Sequence, residues 1–205
     1  MAKRFFKVRS CIASVLCIAS LSAVSAQAFS DVSPNAYYKT AVDWAASEGI
    51  TSGSDKEHFS PDKLCSRAQT VTFLWRANGS PAVSGNNPFT DVAPEDYFYQ
   101  AVLWAVQNGV TSGTSATEFS PYKQVTRAQV AAFLHRAAGS PNPQSMARFA
   151  DVSSSAYYAN AVSWAAASGI TTGTSASAFS PDKGCTRAEI ATFLYRSKNG
   201  STQTT

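Results

Sequence analysis

One stretch recurs three times at a spacing of 60 residues, running Phe59–Ala77, Phe119–Ala137 and Phe179–Ser197. Every copy holds Phe-Ser-Pro, then Ser/Thr-Arg-Ala-Gln/Glu, then Phe-Leu-x-Arg. A Ser or Thr followed three residues later by Gln or Glu is a capping box, so Ser66/Gln69, Thr126/Gln129 and Thr186/Glu189 each mark a helix start. Behind the first box, Ala68, Val71, Leu74 and Trp75 fall at helical spacing. Gly79, Gly139 and Gly200 stand where these helices should stop. Each copy therefore places an arginine, Arg67, Arg127 or Arg187, in the first turn of a helix. Free N–H groups and the helix dipole favour an anion there, and an arginine adds a two-pronged donor. The same arginines could instead brace the fold against Asp31, Asp91 and Asp151, and both readings stand.

Upstream, each copy opens with Phe-x-Asp-Val, at Phe29/Asp31, Phe89/Asp91 and Phe149/Asp151. Tyr38, Ala41, Val42 and Ala45 form an apolar helical stripe, with Asn35, Glu95 or Asp96, and Ser155 as expected N-caps. Gly49, Gly109 and Gly169 precede Ile50, Val110 and Ile170, as a Schellman ending requires. A Gly/Ser/Thr-rich loop carrying Gly53, Gly113 or Gly173 leads to Phe59, Phe119 or Phe179, whose rings should pin it to the core. Each copy reads helix, loop, helix, and two helices cannot bury both their faces alone. The expected fold is mainly α, with three copies sharing one core. Trp44, Trp75, Trp104 and Trp164 sit at helical spacing and read as packing residues.

The copies span 29–81, 89–141 and 149–200, with 201–205 as a tail. Residues 1–28 read as a secretory signal peptide: Lys3, Arg4, Lys7 and Arg9, an apolar run, then Ala26-Gln27-Ala28. The run is too short and too broken by serines for a membrane span. Of 17 basic and 13 acidic residues, four basic ones lie in the leader, so the remainder is formally neutral. With no dense basic run left, nucleic-acid binding is set aside. Cys65 and Cys185 are repeat equivalents, with Val125 between them, which points to a small apolar slot holding buried thiols. Export also permits a disulfide, if the slots lie near a common axis. His58 and His135 do not recur, and no nucleophile elbow, Cys-x-x-Cys or P-loop is present. Neither catalysis, a metal site nor a cofactor is expected.

Phe-Ser-Asp-Val, then Gly-Ile-Thr-x-Gly, Phe-Ser-Pro and Thr-Arg-Ala-Glu, resembles the surface-layer homology (SLH) repeat, in three tandem copies. The resemblance implies a pseudo-threefold spindle around a shared three-helix core, with grooves between repeats. It further implies a secreted, cell-wall-bound protein. Its partner would be an anionic, often pyruvylated, secondary cell-wall polysaccharide associated with peptidoglycan. Carried over by position, the polysaccharide-binding residues are Arg67, Arg127 and Arg187, Asp31, Asp91 and Asp151, and Gly53, Gly113 and Gly173. The family's tryptophan before the first helix is replaced by Tyr37, Tyr97 and Tyr157, and its glutamate survives only as Glu189, against Gln69 and Gln129. A carboxylate on a sugar suits the arginines, and tyrosine rings offer it an apolar face. The aspartates could accept sugar hydroxyls or cap the following turn. The alternative function is a structural or adaptor protein that contacts other surface proteins or copies of itself.

Overall fold

The structure, a computed structural model, describes residues 29–147 and 149–200. The leader, Arg148 and the tail lie outside the described residues, and so does the expected cleavage site. The described residues form six helices: α1 Lys39–Ser47, α2 Arg67–Ala77, α3 Tyr99–Gln107, α4 Arg127–Ala137, α5 Ala159–Ala167 and α6 Arg187–Asn199. The fold is mainly α, and the described residues form no extended strand.

The even-numbered helices begin at their capping boxes. Ser66 Oγ accepts from Gln69 N–H at 3.2 Å, and Gln69 Oε1 accepts from Ser66 N–H at 3.1 Å. Thr126/Gln129 and Thr186/Glu189 repeat the pattern. These three helices contact one another at the centre. Val71, Leu74, Val130, Leu134, Ile190 and Leu194 fill the space between them. The shorter helices lie outside, each against the long helix of a different copy: α3 on α2, α5 on α4, and α1 on α6. A sequence repeat is thus not a packing unit, and the first of the described helices, α1, is covered by the last, α6. On that seam Ala41, Val42 and Phe59 pack with Ala188 and Ala191.

α1, α3 and α5 end as expected. Ile50 N–H reaches Ala45 O at 2.8 Å and Gly49 N–H reaches Ala46 O at 3.1 Å, with Gly49 at φ +68°. This is the Schellman pattern. Their starts differ from expectation. Asn35, Glu95, Asp96 and Ser155 are not the caps, because a turn intervenes in which Ala36 N–H reaches Ser33 O and Lys39 N–H reaches Ala36 O. The cap positions belong to Tyr38, Phe98 and Tyr158, none with a side-chain cap bond. Asp96 instead accepts from Ala93 N–H within that turn.

The copies are joined on the pseudo-axis by a ring of backbone hydrogen bonds. Cys65 N–H donates to Cys185 O, Cys185 N–H to Val125 O and Val125 N–H to Cys65 O, each at 3.0 Å. The two cysteines are therefore neighbours on the axis, yet both remain free and buried. Burial pushes the Cys65 thiol up to about 12, so it is held as a neutral apolar filler.

Candidate functional site

Between the copies lie three grooves of about 320, 360 and 420 Å³, each formed around one of the repeated arginines. Each draws on all three repeats. The first joins Arg187, the Thr51–Ser54 loop and Tyr97. The second joins Arg67, the Thr111–Thr114 loop and Tyr157. The third joins Arg127, the Thr171–Thr174 loop and Tyr37. These volumes suit a sugar residue. A cavity at the far end of the central helices, beside Leu74, Leu134 and Leu194, offers only about 70 Å³.

The arginine geometry corrects one expectation. The first N–H groups of the long helices are not free for an anion. Arg67 N–H donates to Lys123 O at 2.9 Å, and Ala68 N–H donates to Pro121 O at 3.0 Å. The other long helices repeat this, with Arg127 and Ala128 on Lys183 and Pro181, and Arg187 and Ala188 on Lys63 and Pro61. The helix start is a joint between repeats, so a ligand would meet the side chain alone. That side chain is buried, only 3–4% exposed in each copy. Arg67 Nε donates to Phe119 O at 2.8 Å, Arg127 Nε to Phe179 O at 2.9 Å and Arg187 Nε to Phe59 O at 2.7 Å. Each guanidinium also lies between two rings: Arg67 is 4.8 Å from Phe119 and 5.4 Å from Phe133. Desolvation draws Arg67 and Arg187 below their ordinary pKa, but arginine is so basic that both stay charged.

Asp31, Asp91 and Asp151 are not among the groove-lining residues. They do not pair with the arginines as a brace either. Both Asp31 oxygens accept backbone N–H groups, from Phe59 at 2.8 Å and Ser60 at 2.7 Å. Asp91 and Asp151 do the same with Phe119/Ser120 and Phe179/Ser180. The Phe179 and Ser180 N–H groups hold the Asp151 carboxyl below its usual range. Ser60, Ser120 and Ser180 sit at φ near +57°, unfavourable for a residue with a side chain, and the paired acceptor fixes that bend. The bend carries the phenylalanine whose carbonyl the arginine holds.

Gly53, Gly113 and Gly173 set the loop wall of each groove. Thr111 Oγ1 accepts from Gly113 N–H at 3.2 Å, and Gly113 lies at φ +90°. A Cβ there would stand 2.5 Å from Glu118 O and 2.5 Å from Phe89 Cε1. Gly113→Ala is expected to cost roughly 3 kcal/mol, from the forbidden φ and the collision with backbone. A melting temperature lowered by about 6–12 °C would register it.

Tyr37, Tyr97 and Tyr157 are 62–67% exposed, each with its ring edge-on to the following aromatic residue at 5.0 Å. Sequence reasoning missed three further pairs of cations, one pair in each groove: Lys63 with Arg76, Lys123 with Arg136, and Lys183 with Arg196. Each type recurs at the same place in every copy, the lysine two residues after Phe-Ser-Pro and the arginine closing Phe-Leu-x-Arg. The lysines are exposed at the rim. The arginines reach the loop, with Arg76 Nη1 on Ile50 O at 3.1 Å. Every groove is therefore lined by three cations. Among the described residues no cluster could hold a metal, and no helix is long and apolar enough to cross a membrane.

The S-layer homology domain matches residues 28–71, 88–131 and 148–191. The chain belongs to the S-layer homology family. Membership places it at the cell surface, in association with the cell wall, and gives its three domains a surface-anchoring role. It is 31% identical to the Surface-layer 125 kDa protein of Lysinibacillus sphaericus over 94% of this chain and 17% of that protein. It is 25% identical to an S-layer protein of Bacillus thuringiensis subsp. finitimus over 87% of this chain and 22% of that one. A third relative is an Endoglucanase of Bacillus sp. (strain KSM-635), 30% identical over 53% of this chain and 11% of the enzyme. The chain thus spans less than a quarter of the length of each of these relatives.

Proposed function

We propose that this S-layer homology protein is a non-catalytic anchoring module that docks an anionic cell-wall polysaccharide in the grooves between its repeats. The acidic group would be a carboxylate on the sugar, of the pyruvate-ketal kind. The carrying observation is a buried guanidinium fixed at the floor of every groove, with an exposed tyrosine and two further cations around it. The guanidinium is already desolvated and held by its Nε bond and its flanking rings. A bound carboxylate would thus meet a donor that needs no further ordering, and Nη groups would form the charge-assisted bonds. The tyrosine ring would cover an apolar sugar face, and the rim lysine would add a mobile charge. Gly53, Gly113 and Gly173 serve by letting the loop lie close. Asp31, Asp91 and Asp151 act beneath the site, by shaping the bend that carries the phenylalanine carbonyl. Glycoside hydrolysis needs a pair of carboxyl groups across the bond, whereas Glu189 is the one carboxylate among the groove-lining residues.

The test is cosedimentation with isolated cell walls, before and after the acidic polymer is stripped from the peptidoglycan. Binding to intact walls that disappears on stripping is the expected result. Equal binding to stripped walls would overturn the reading and favour attachment to other surface proteins.

A further inference from the structure

The three grooves share a plan but differ at one position, the third residue of the long helix. In the Arg127 groove it is Glu189; in the Arg187 and Arg67 grooves it is Gln69 and Gln129. All three complete a capping box, yet their spare atoms differ. Glu189 gives Oε2 to Thr186 N–H at 2.9 Å and Oε1 to Arg127 Nη1, also at 2.9 Å. That ion pair is sheltered, its side chains 3% and 14% exposed, and Lys183 Nζ stands 3.7 Å from the same oxygen. In the other grooves the glutamine oxygen accepts from the cap N–H, at 3.1 Å for Gln69 and 3.2 Å for Gln129. What remains is an amide NH2, which donates and so cannot accept from a guanidinium. Arg187 Nη2 reaches Thr51 Oγ1 only at 3.4 Å, a long contact. Arg67 Nη2 has no hydrogen-bond partner, and it is the only such buried side-chain nitrogen or oxygen among the described residues.

We propose that the grooves are unequal by construction. Glu189 closes the Arg127 groove to acidic ligands by occupying its guanidinium, and the Arg67 and Arg187 grooves hold the polymer, the Arg67 groove most strongly. The inference rests on the anchoring function proposed above. A carboxylate entering the Arg127 groove must displace a carboxylate already bound there and stand beside it. One entering the Arg67 groove fills an empty donor position on a side chain that is already desolvated, where an unmade bond is costly. Glu189 therefore sets which grooves bind, without itself touching the ligand.

Each groove carries its own reporter, which allows a test by groove. Tyr157 marks the Arg67 groove, Tyr97 the Arg187 groove and Tyr37 the Arg127 groove. The experiment follows tyrosine ring signals by NMR while the full chain is titrated with a methyl glycoside bearing one pyruvate ketal. In the unsubstituted protein, Tyr157 and Tyr97 should shift and Tyr37 should not. In Glu189→Gln, Tyr37 should respond as well. In Gln129→Glu, the Tyr157 response should move to at least about tenfold higher ketal concentration, as expected for loss of one charge-assisted contact. Both substitutions copy a residue that another repeat uses in the same box, so the helix start is preserved. Three equal responses, unaltered by Glu189→Gln, would overturn this inference and leave the anchoring function standing. Silence at all three tyrosines, in every variant, would overturn both.

Discussion

A chain ending at Pro141 is expected to lose cooperative unfolding altogether. Its two remaining copies keep their capping boxes and Schellman turns, so local sequence still favours four helices. What they lose is cover. α6 supplies one third of the central bundle through Ile190, Phe193 and Leu194, and the outer cover of α1 through Ala188 and Ala191. Burying three large side chains contributes about 1.5–3 kcal/mol each, together comparable to the whole stability of about 5–15 kcal/mol of a typical domain. The truncation also opens the axial ring at Cys65 N–H and frees the Phe59 carbonyl from Arg187. Calorimetry should show a broad, weak transition or none. A sharp transition near that of the full chain would show that two copies suffice, and the shared core would be wrong. Wall binding should vanish with the fold, since each groove takes residues from all three repeats.

That dependence explains what the sequence made legible. Features decided within a few residues could be read directly. The capping boxes placed α2, α4 and α6 to the residue, and Gly49-Ile50 and its equivalents gave the ends of the outer helices. The starts of α1, α3 and α5 were misread because good capping residues exist at Asn35 and Ser155, one turn early, while the true caps are aromatic and make no side-chain bond. Features decided between copies were out of reach. That Arg67 N–H is satisfied by Lys123 O, 56 positions on, follows from the packing of one repeat on the next. So does the role of Asp31, whose partners lie 28 and 29 residues away. A repeated aspartate and a repeated arginine invite a direct pairing, yet the structure interposes a phenylalanine backbone between them. The arginine takes the Phe59 carbonyl and the aspartate its N–H. The groove cations Lys63 and Arg76 were visible as repeated residues, but repetition alone does not separate a frame residue from a binding one.

The same interlocking decides how the binding chemistry should be probed. Replacing Arg67, Arg127 and Arg187 by alanine would remove three Nε–carbonyl bonds and six stacking contacts along with the groove floor. Lost binding in that variant would say little, since folding should fail with it. Lys63 and Lys123 separate the two roles. Their side chains are exposed, they line the Arg187 and Arg67 grooves, and their backbone carbonyls, not their ammonium groups, make the joint to the next helix. Lys63→Gln with Lys123→Gln should therefore leave the melting temperature within about 2 °C, as surface substitutions usually do. Wall binding should weaken far more. Each lysine contributes a charge-assisted contact of about 1–1.5 kcal/mol, and grooves on one rigid body act on one polymer together. The apparent affinity for walls should fall by about thirtyfold to a hundredfold, with a shallower dependence on salt. Lys183→Gln alone should change wall binding little, because Glu189 already occupies the guanidinium of its groove. Unchanged cosedimentation by the folded double variant would remove the rim lysines from the site and leave the groove arginines, the buried Arg67 and Arg187 and the half-buried Arg76 and Arg136, as the cations to which a wall polymer could be assigned.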